Sequence, residues 1–416
     1  MINISFGDVR KKKIETPNHF VSHMIEHIAW RTGLSIDLSW PDQNWKQLGL
    51  ELGKEIKKFP IKQKQASTLG MIDDGSAVTS VYLDQAGVNL NTSGGVDLNW
   101  FLNLRCEQIE NGKALVDLLE GISEGLSARI ESTIWNVEDP HHTWEGVYRG
   151  LGIALNKIFT PEALTKEVSL NLSKDKSYKN FSAKNEILVL EHGANRAKVM
   201  RGTAETGITV SVDFLSPGDN EIKIYADSSI DNAVKEFHLL LSDFADRLGA
   251  SIKIDFKAKA FSSSHVVMED IGLVLGRALL EIMKIRMDQY GVNGAGSNIK
   301  VPSDIDSQKV QAGISVEGRK FWRFVPVDGD YANIKKKMLI GHTIYNGLRS
   351  EDLDDFIDGL SGGMSASIML HIQDYASAPQ AAWISTFEAL GEALNEAFQV
   401  NPYRRGVPPG VKATLS

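Results

Sequence analysis

One signature occurs four times in this chain: a large apolar residue with a glycine eight positions later, inside an amphipathic helical run. Trp45 to Gly53 reads WKQLGLELG, Trp144 to Gly152 reads WEGVYRGLG and Trp383 to Gly391 reads WISTFEALG. Met268 to Gly276, MEDIGLVLG, carries methionine in the tryptophan position. Successive copies lie roughly a hundred residues apart, which is too long a period for a solenoid and suits duplicated small domains. Ahead of each copy stands an earlier helical pattern followed by a strand-like run. These are SHMIEHIAWRTG before LSIDLSW, KALVDLLEGISEG before LSARIESTIW, FHLLLSDFADRLG before ASIKIDFKA, and LDDFIDGLSGGM before SASIMLHIQ. Apolar residues recur at three and four in the helices and alternate in the strands. The unit is therefore strands, helix, strand, helix. It predicts an α+β fold of four tandem repeats, each a sheet covered on one face by two helices.

At 416 residues the chain is too long for one core and accommodates two or more domains. A net charge of −8 with no long basic run argues against nucleic acid, and Lys11-Lys12-Lys13 reads as a solvated loop or strand edge. The single cysteine, Cys106, allows no intrachain disulfide and fits a reducing cytosol. No apolar run is long enough to span a bilayer, and the N-terminus shows no hydrophobic signal core, so a cytoplasmic protein without membrane contact is expected. The composition breaks at 166–184, rich in Lys, Ser and Asn. That break divides the chain into unit A (1–165), a linker (166–194) and unit B (195–416).

The run His141-His142-Thr143-Trp144-Glu145, followed by the helical stretch 146–158, is the strongest chemical motif. Adjacent imidazoles point in different directions, and a carboxylate one turn on lies on a neighbouring face. Manganese, iron and zinc accept imidazole and carboxylate ligands together. The same residues would also make a surface histidine pair beside an exposed Glu; their place in a recurring segment favours metal. His23 and His27 form an i, i+4 pair able to bind metal. His23 is carried forward as a ligand, whereas His27 reads as an exposed helix residue. His192, His342 and His371 read as structural, and the tryptophans of the signature as core. The glycine-rich loop 291–296 lacks the strand–loop–helix setting of a phosphate loop.

With these motifs in order, the chain resembles the imidazoleglycerol-phosphate dehydratases, the manganese lyases of histidine biosynthesis, with two family units fused and partly degenerate. The likeness is strongest in 133–160, 199–285 and 310–416. Arg201-Gly202-Thr203-Ala204-Glu205-Thr206 resembles the family's R-x-T-x-E-T, Gly318-Arg319-Lys320-Phe321 its G-R-P-Y turn, and Asn401-Pro402-Tyr403-Arg404-Arg405-Gly406 with Lys412 its C-terminal basic segment. The resemblance implies metal ligands from a first-helix histidine and from H-H-x-x-E in each repeat. Repeat 1 keeps His23 but has Asp42-Gln43-Asn44-Trp45-Lys46 for the second motif. Repeat 2 keeps His141, His142 and Glu145, with Asp117 and Leu118 at the first-helix position. Repeat 3 keeps His265 and Glu269, with Val266 between and His238 near the first-helix position; repeat 4 has Gln380-Ala381-Ala382-Trp383-Ile384 and Asp355.

The complementary losses resemble one composite site that draws on both units, with Glu205 as the catalytic carboxylate. Arg149, Arg319, Arg404, Arg405 and Lys412 are the residues implied for substrate phosphate. The family's phosphate arginine is replaced by Thr68 and Gly294, and its C-terminal serine by Gly410. What the resemblance implies is a hydro-lyase that uses manganese, or another divalent metal such as zinc or iron, on a phosphorylated imidazole. It also implies a homo-oligomer with threefold symmetry. The other reading is a non-catalytic scaffold that retains only a structural metal.

Overall fold

The computed structural model describes residues 2–6, 12–72, 75–93, 96–159, 187–259, 263–299, 309–326, 339–372, 378–402, 405–406 and 408. The chain divides into two compact units, Met1–Phe181 and Ser182–Ser416. Unit one runs β1 (Ile2–Phe6), β2 (Lys13–Glu15), α1 (His19–Thr32), β3 (Leu34–Ser39), α2 (Trp45–Ile56). It continues β4 (Gln65–Ile72), β5 (Gly75–Tyr82), β6 (Gly87–Thr92), the short α3 (Leu98–Leu102), α4 (Lys113–Leu126), β7 (Arg129–Asn136), α5 (Pro140–Phe159). Unit two runs β8 (Leu188–His192), β9 (Arg196–Gly202), β10 (Thr206–Asp213), β11 (Glu221–Tyr225), α6 (Asp231–Leu248), β12 (Ser251–Ala258), α7 (Ser264–Gln289). It ends β13 (Ala295–Ser297), β14 (Val310–Val316), β15 (Phe321–Pro326), α8 (Ser350–Met364), β16 (Ala366–Ile372), α9 (Pro379–Ala397).

Four sheets result, ordered β1-β3-β2, β4-β5-β7-β6, β11-β12-β10-β9-β8 and β13-β14-β16-β15. One plan underlies them all. The strand after each first helix (β3, β7, β12, β16) lies between an antiparallel neighbour and a parallel one. The parallel neighbour is always the strand just before that helix, because a parallel pair needs a crossover long enough to hold one. Each first helix stops at a left-handed residue: Gly33 and Gly249 in repeats 1 and 3, Ser127 and Ser365 in repeats 2 and 4. The fold is α+β with four sheet-plus-helix repeats, as the sequence pattern predicts. Strand β8 falls inside the span read as linker and pairs with β9.

Within unit one, α1 packs on α5 and α2 on α4; within unit two, α6 packs on α9 and α7 on α8. The signature glycine lies at each of these crossings. A Cβ at Gly53 would sit 2.5 Å from the Ile122 carbonyl, at Gly276 2.4 Å from Leu360, at Gly391 2.5 Å from Phe244 and at Gly152 3.0 Å from Ile28. Only glycine lets the helix backbones approach this closely. The paired apolar position is core in every repeat, with Trp45, Trp144, Met268 and Trp383 all buried. Trp144 packs on Phe101, and Trp383 Nε1 donates to Ser350 Oγ at 3.2 Å. The recurring pattern is therefore the trace of one helix-packing solution used four times.

Candidate metal centre

The helix α5 begins before the His-His motif, not after it. Pro140 takes the first helical position, where its missing N–H costs nothing. Asp139 caps the turn: its Oδ1 accepts from the His141 amide at 2.5 Å and its carbonyl from Thr143 N and Oγ1. The whole motif is thus helical, and Pro140 through Tyr148 is buried without a break. His141 and Glu145 stand at i and i+4, on one face, while His142 projects elsewhere. Its ring lies 5.8 Å from that of His141 with the planes at 83°.

Helix α1 brings the partners. His23 and His27, one turn apart, are both buried, which corrects the expectation that His27 is exposed. Both face α5 because α1 packs on it lengthwise. Three imidazoles converge on one carboxylate oxygen. Glu145 Oε1 is 2.8 Å from His23 Nε2, 3.0 Å from His27 Nε2 and 2.9 Å from His141 Nε2. His23 Nε2 and His27 Nε2 are 3.1 Å apart. The opposite nitrogens of two rings meet further carboxylates: His141 Nδ1 lies 2.9 Å from Glu107 Oε1, and His23 Nδ1 3.4 Å from Glu26 Oε2. Lys12 Nζ neutralises Glu26 at 2.8 Å, and Arg149 Nη2 approaches the second Glu145 oxygen at 3.2 Å. Glu107 holds its place at φ +50°, a backbone region uncommon outside glycine.

The donor accounting points to a cation. A carboxylate accepts from Nδ1–H, so Glu107 and Glu26 favour the tautomers of His141 and His23 whose lone pairs sit on Nε2. Those lone pairs then face a carboxylate oxygen at hydrogen-bond range. Either each ring carries a second proton or one divalent ion serves them together. Burial drives the His27 imidazole down to a pKa of about 4, with the charges of His23 and Arg149 adding to it and Glu145 opposing. It is therefore a neutral ring at neutral pH. Burial alone would raise the Glu145 carboxyl, but the facing imidazoles hold it well below its ordinary range. A neutral imidazole beside an ionised carboxylate is a donor set that a divalent transition metal accepts. The atoms of His23, His141 and Glu145 all lie within 4.8 Å of one another, so the group could hold a metal ion.

The other sequence candidates are placed differently. In unit two His265 Nδ1 meets Asp355 Oδ2 at 2.8 Å, and Nε2 is 3.7 Å from Glu269 Oε2. No group of three ligand atoms drawn from unit two alone occurs among the described residues. His238 is half-buried on α6 and joins no such group there. Glu205, also half-buried, lies in the β9–β10 turn, which Thr203 Oγ1 ties by accepting from the amides of Glu205 and Thr206. Arg201 and Thr206 of the same motif both clasp the buried Asp270 of α7, so they brace the turn. Arg319 and Arg405 are exposed, while Arg404 and Lys412 lie outside the described residues. The contributions of His27 and Glu107 escaped the sequence reading. The i, i+4 spacing flagged His27, whereas nothing in the local sequence marks Glu107.

No family model matches the chain. It is 27% identical over 212 residues to the imidazoleglycerol-phosphate dehydratase of Streptococcus sanguinis, covering 51% of this chain and 95% of that one. The imidazoleglycerol-phosphate dehydratase of Streptococcus thermophilus is 29% identical over 214 residues, with 51% and 95% covered. A solved dehydratase from Pyrococcus furiosus superposes at a TM-score of 0.32 and 22% identity, covering 38% of this chain and 88% of that one. Nearly the full length of a dehydratase thus aligns with half of this chain, which is similar in sequence to the imidazoleglycerol-phosphate dehydratases.

Proposed function

We propose that the protein is a metal-dependent carbon–oxygen lyase of the dehydratase type, acting on a phosphorylated imidazole, and that its two family units are 1–165 and 195–416. The observation that carries this is the convergence of buried imidazole nitrogens on Glu145 Oε1. In this reading His23, His141 and Glu145 hold the metal, manganese first and zinc or iron as alternatives. His142, His265, Glu269 and His238 are retained as further ligand candidates. A bound divalent ion supplies Lewis acidity to the substrate imidazole and orients it. Glu107 and Glu26 hold the histidine tautomers, and Arg149 holds the second oxygen of Glu145 in place. Glu205 carries the proton taken from substrate carbon, a task for a positioned carboxylate. Chains associate around a threefold axis in the cytoplasm.

A second reading, a scaffold with a structural metal and no turnover, is favoured by one feature. Arg149 is engaged by Glu145, and Arg319 and Arg405 are exposed, so no buried arginine is left for a phosphate among these candidates. The test is to purify the full chain, load it with manganese and supply imidazoleglycerol phosphate. Formation of imidazole-acetol phosphate that stops on adding a chelator supports the lyase. Tight metal binding without product supports the scaffold, and absence of metal binding removes both.

A further inference from the structure

The proposed ligand set makes no use of His27, and the ligands implied by the resemblance do not include it. We infer that His27 is a fourth protein ligand, so that the cation site of unit one is complete within that unit as three imidazole nitrogens and one carboxylate oxygen. The inference rests on the metal reading of the same cluster and extends it.

Geometry carries the argument. His27 follows His23 by one turn of α1, so both rings leave the same helix face. Their centroids are 4.4 Å apart with planes at 70°, which spares the rings from stacking and lets both Nε2 atoms reach inward. His27 Nε2 lies 3.0 Å from Glu145 Oε1 and 3.1 Å from His23 Nε2, about as close to that carboxylate oxygen as His141 Nε2 at 2.9 Å. Ligand atoms about 2.0–2.2 Å from a shared metal lie a little over 3 Å apart in tetrahedral geometry, so little movement of the His23–His27–Glu145 atoms is needed.

The consequence concerns which metal permits chemistry. A tetrahedral zinc with four protein ligands is coordinatively filled, which is the structural kind of zinc site. Manganese accepts more than four ligands, so if held by the same four residues it would still have room for substrate. His27 as a ligand would thus make the identity of the metal decide whether the site can take substrate.

The alternative role for His27 is an Nε2–H donor to Glu145 with no metal bond, and glutamine preserves donation while removing the imidazole. The full-length wild type, His27→Gln and His141→Gln are titrated with cobalt and with manganese against a chromophoric chelator, with thermal melts recorded for each. Loss of more than about a hundredfold in affinity in His27→Gln is expected, beyond the ten- to hundredfold typical of a residue that only orients a ligand. Wild-type affinity in His27→Gln with loss in His141→Gln would overturn the inference and leave the metal site standing. Wild-type affinity in both overturns the metal reading itself. His27→Cys decides independently of affinity: a cobalt-loaded protein with thiolate on the metal shows an intense near-ultraviolet sulfur-to-cobalt band. Absence of that band in a folded, cobalt-loaded His27→Cys protein overturns the inference.

Discussion

Each unit sets a histidine-bearing second helix against a first helix, but by different pairings and with different equipment: α5 faces α1 in unit one, α7 faces α8 in unit two. In each, a histidine and a glutamate stand at i and i+4 on the second helix of a repeat: His141 and Glu145 on α5, His265 and Glu269 on α7. In each, the histidine Nδ1 meets a buried carboxylate, Glu107 at 2.9 Å or Asp355 at 2.8 Å. The difference lies in what the facing first helix adds. Helix α1 places two imidazoles on the far side of Glu145, whereas α8 places Asp355 on the wrong nitrogen to share a cation with Glu269. A duplicated scaffold thus keeps its packing while its chemistry is decided by one helix face. Glu145 is buried and Glu269 half-exposed, so only the first carboxylate has a strong reason to require partners.

The sharpest way to break this contrast is to remove the nitrogen that both units share. His141→Ala should reduce bound metal to background, since a lost ligand removes several kcal/mol of a binding energy on the order of ten. Metal analysis of protein purified without chelator reads this directly. Undiminished metal in a folded His141→Ala protein would mean that the convergence on Glu145 is only a hydrogen-bond cluster.

Next in size is the carboxylate behind that histidine. Glu107→Gln keeps the side-chain shape but turns an obligate acceptor into a group that can also donate, so the His141 tautomer is no longer fixed. Metal affinity should fall by about ten- to a hundredfold, the usual effect of losing such a support. Chelator competition measures it. An unchanged affinity would show that the left-handed backbone at Glu107 serves only the turn it occupies.

Much of this was legible before any coordinates. The Trp/Met-to-Gly signature fixed the repeat number and the second helices, because helix crossings leave a periodic residue requirement. His141 and Glu145 were likewise legible from the H-H-x-x-E spacing, and His23 from its i, i+4 spacing to His27 and the first-helix histidine that the resemblance implies. His27 was misjudged, since exposure of an i+4 histidine depends on which helix packs opposite, and sequence spacing does not encode that. The start of α5 lies at Pro140 rather than at 146, because proline fits the first helical position, where its missing N–H costs nothing. Glu107 had no sequence signal at all: it reaches His141 from a turn 34 residues away, a juxtaposition made only by tertiary packing.

The packing half of the comparison should be symmetric where the chemistry is not. A Cβ at Gly49 would lie 2.2 Å from the Leu118 carbonyl, and one at Gly272 2.2 Å from that of Phe356. Gly49→Ala and Gly272→Ala should therefore each destabilise their own unit by about 1–3 kcal/mol, the range for overpacking a close contact. Urea unfolding followed by tryptophan fluorescence tests it. A loss in one unit alone would show that the repeats have diverged in packing as well as in ligands.

The smallest expected effect concerns the unit that keeps a histidine without a full site. His265 offers Nε2 toward Glu269, 3.7 Å away, while Nδ1 is held by Asp355. Within unit two alone, the described residues set no third ligand atom beside this imidazole and carboxylate, a poorer set than the cluster at Glu145. Because Asp355 approaches Nδ1, it behaves as Glu107 does in unit one, orienting a ring rather than sharing a cation with Glu269. His265→Gln should leave the metal content per chain unchanged, and the accompanying melt should register only the loss of a buried hydrogen bond to a charged group, about 1.5–3 kcal/mol. If metal per chain instead dropped with His265→Gln as it does with His141→Ala, unit two would carry a working site of its own. The asymmetry between the facing helices α1 and α8 would then have no chemical meaning.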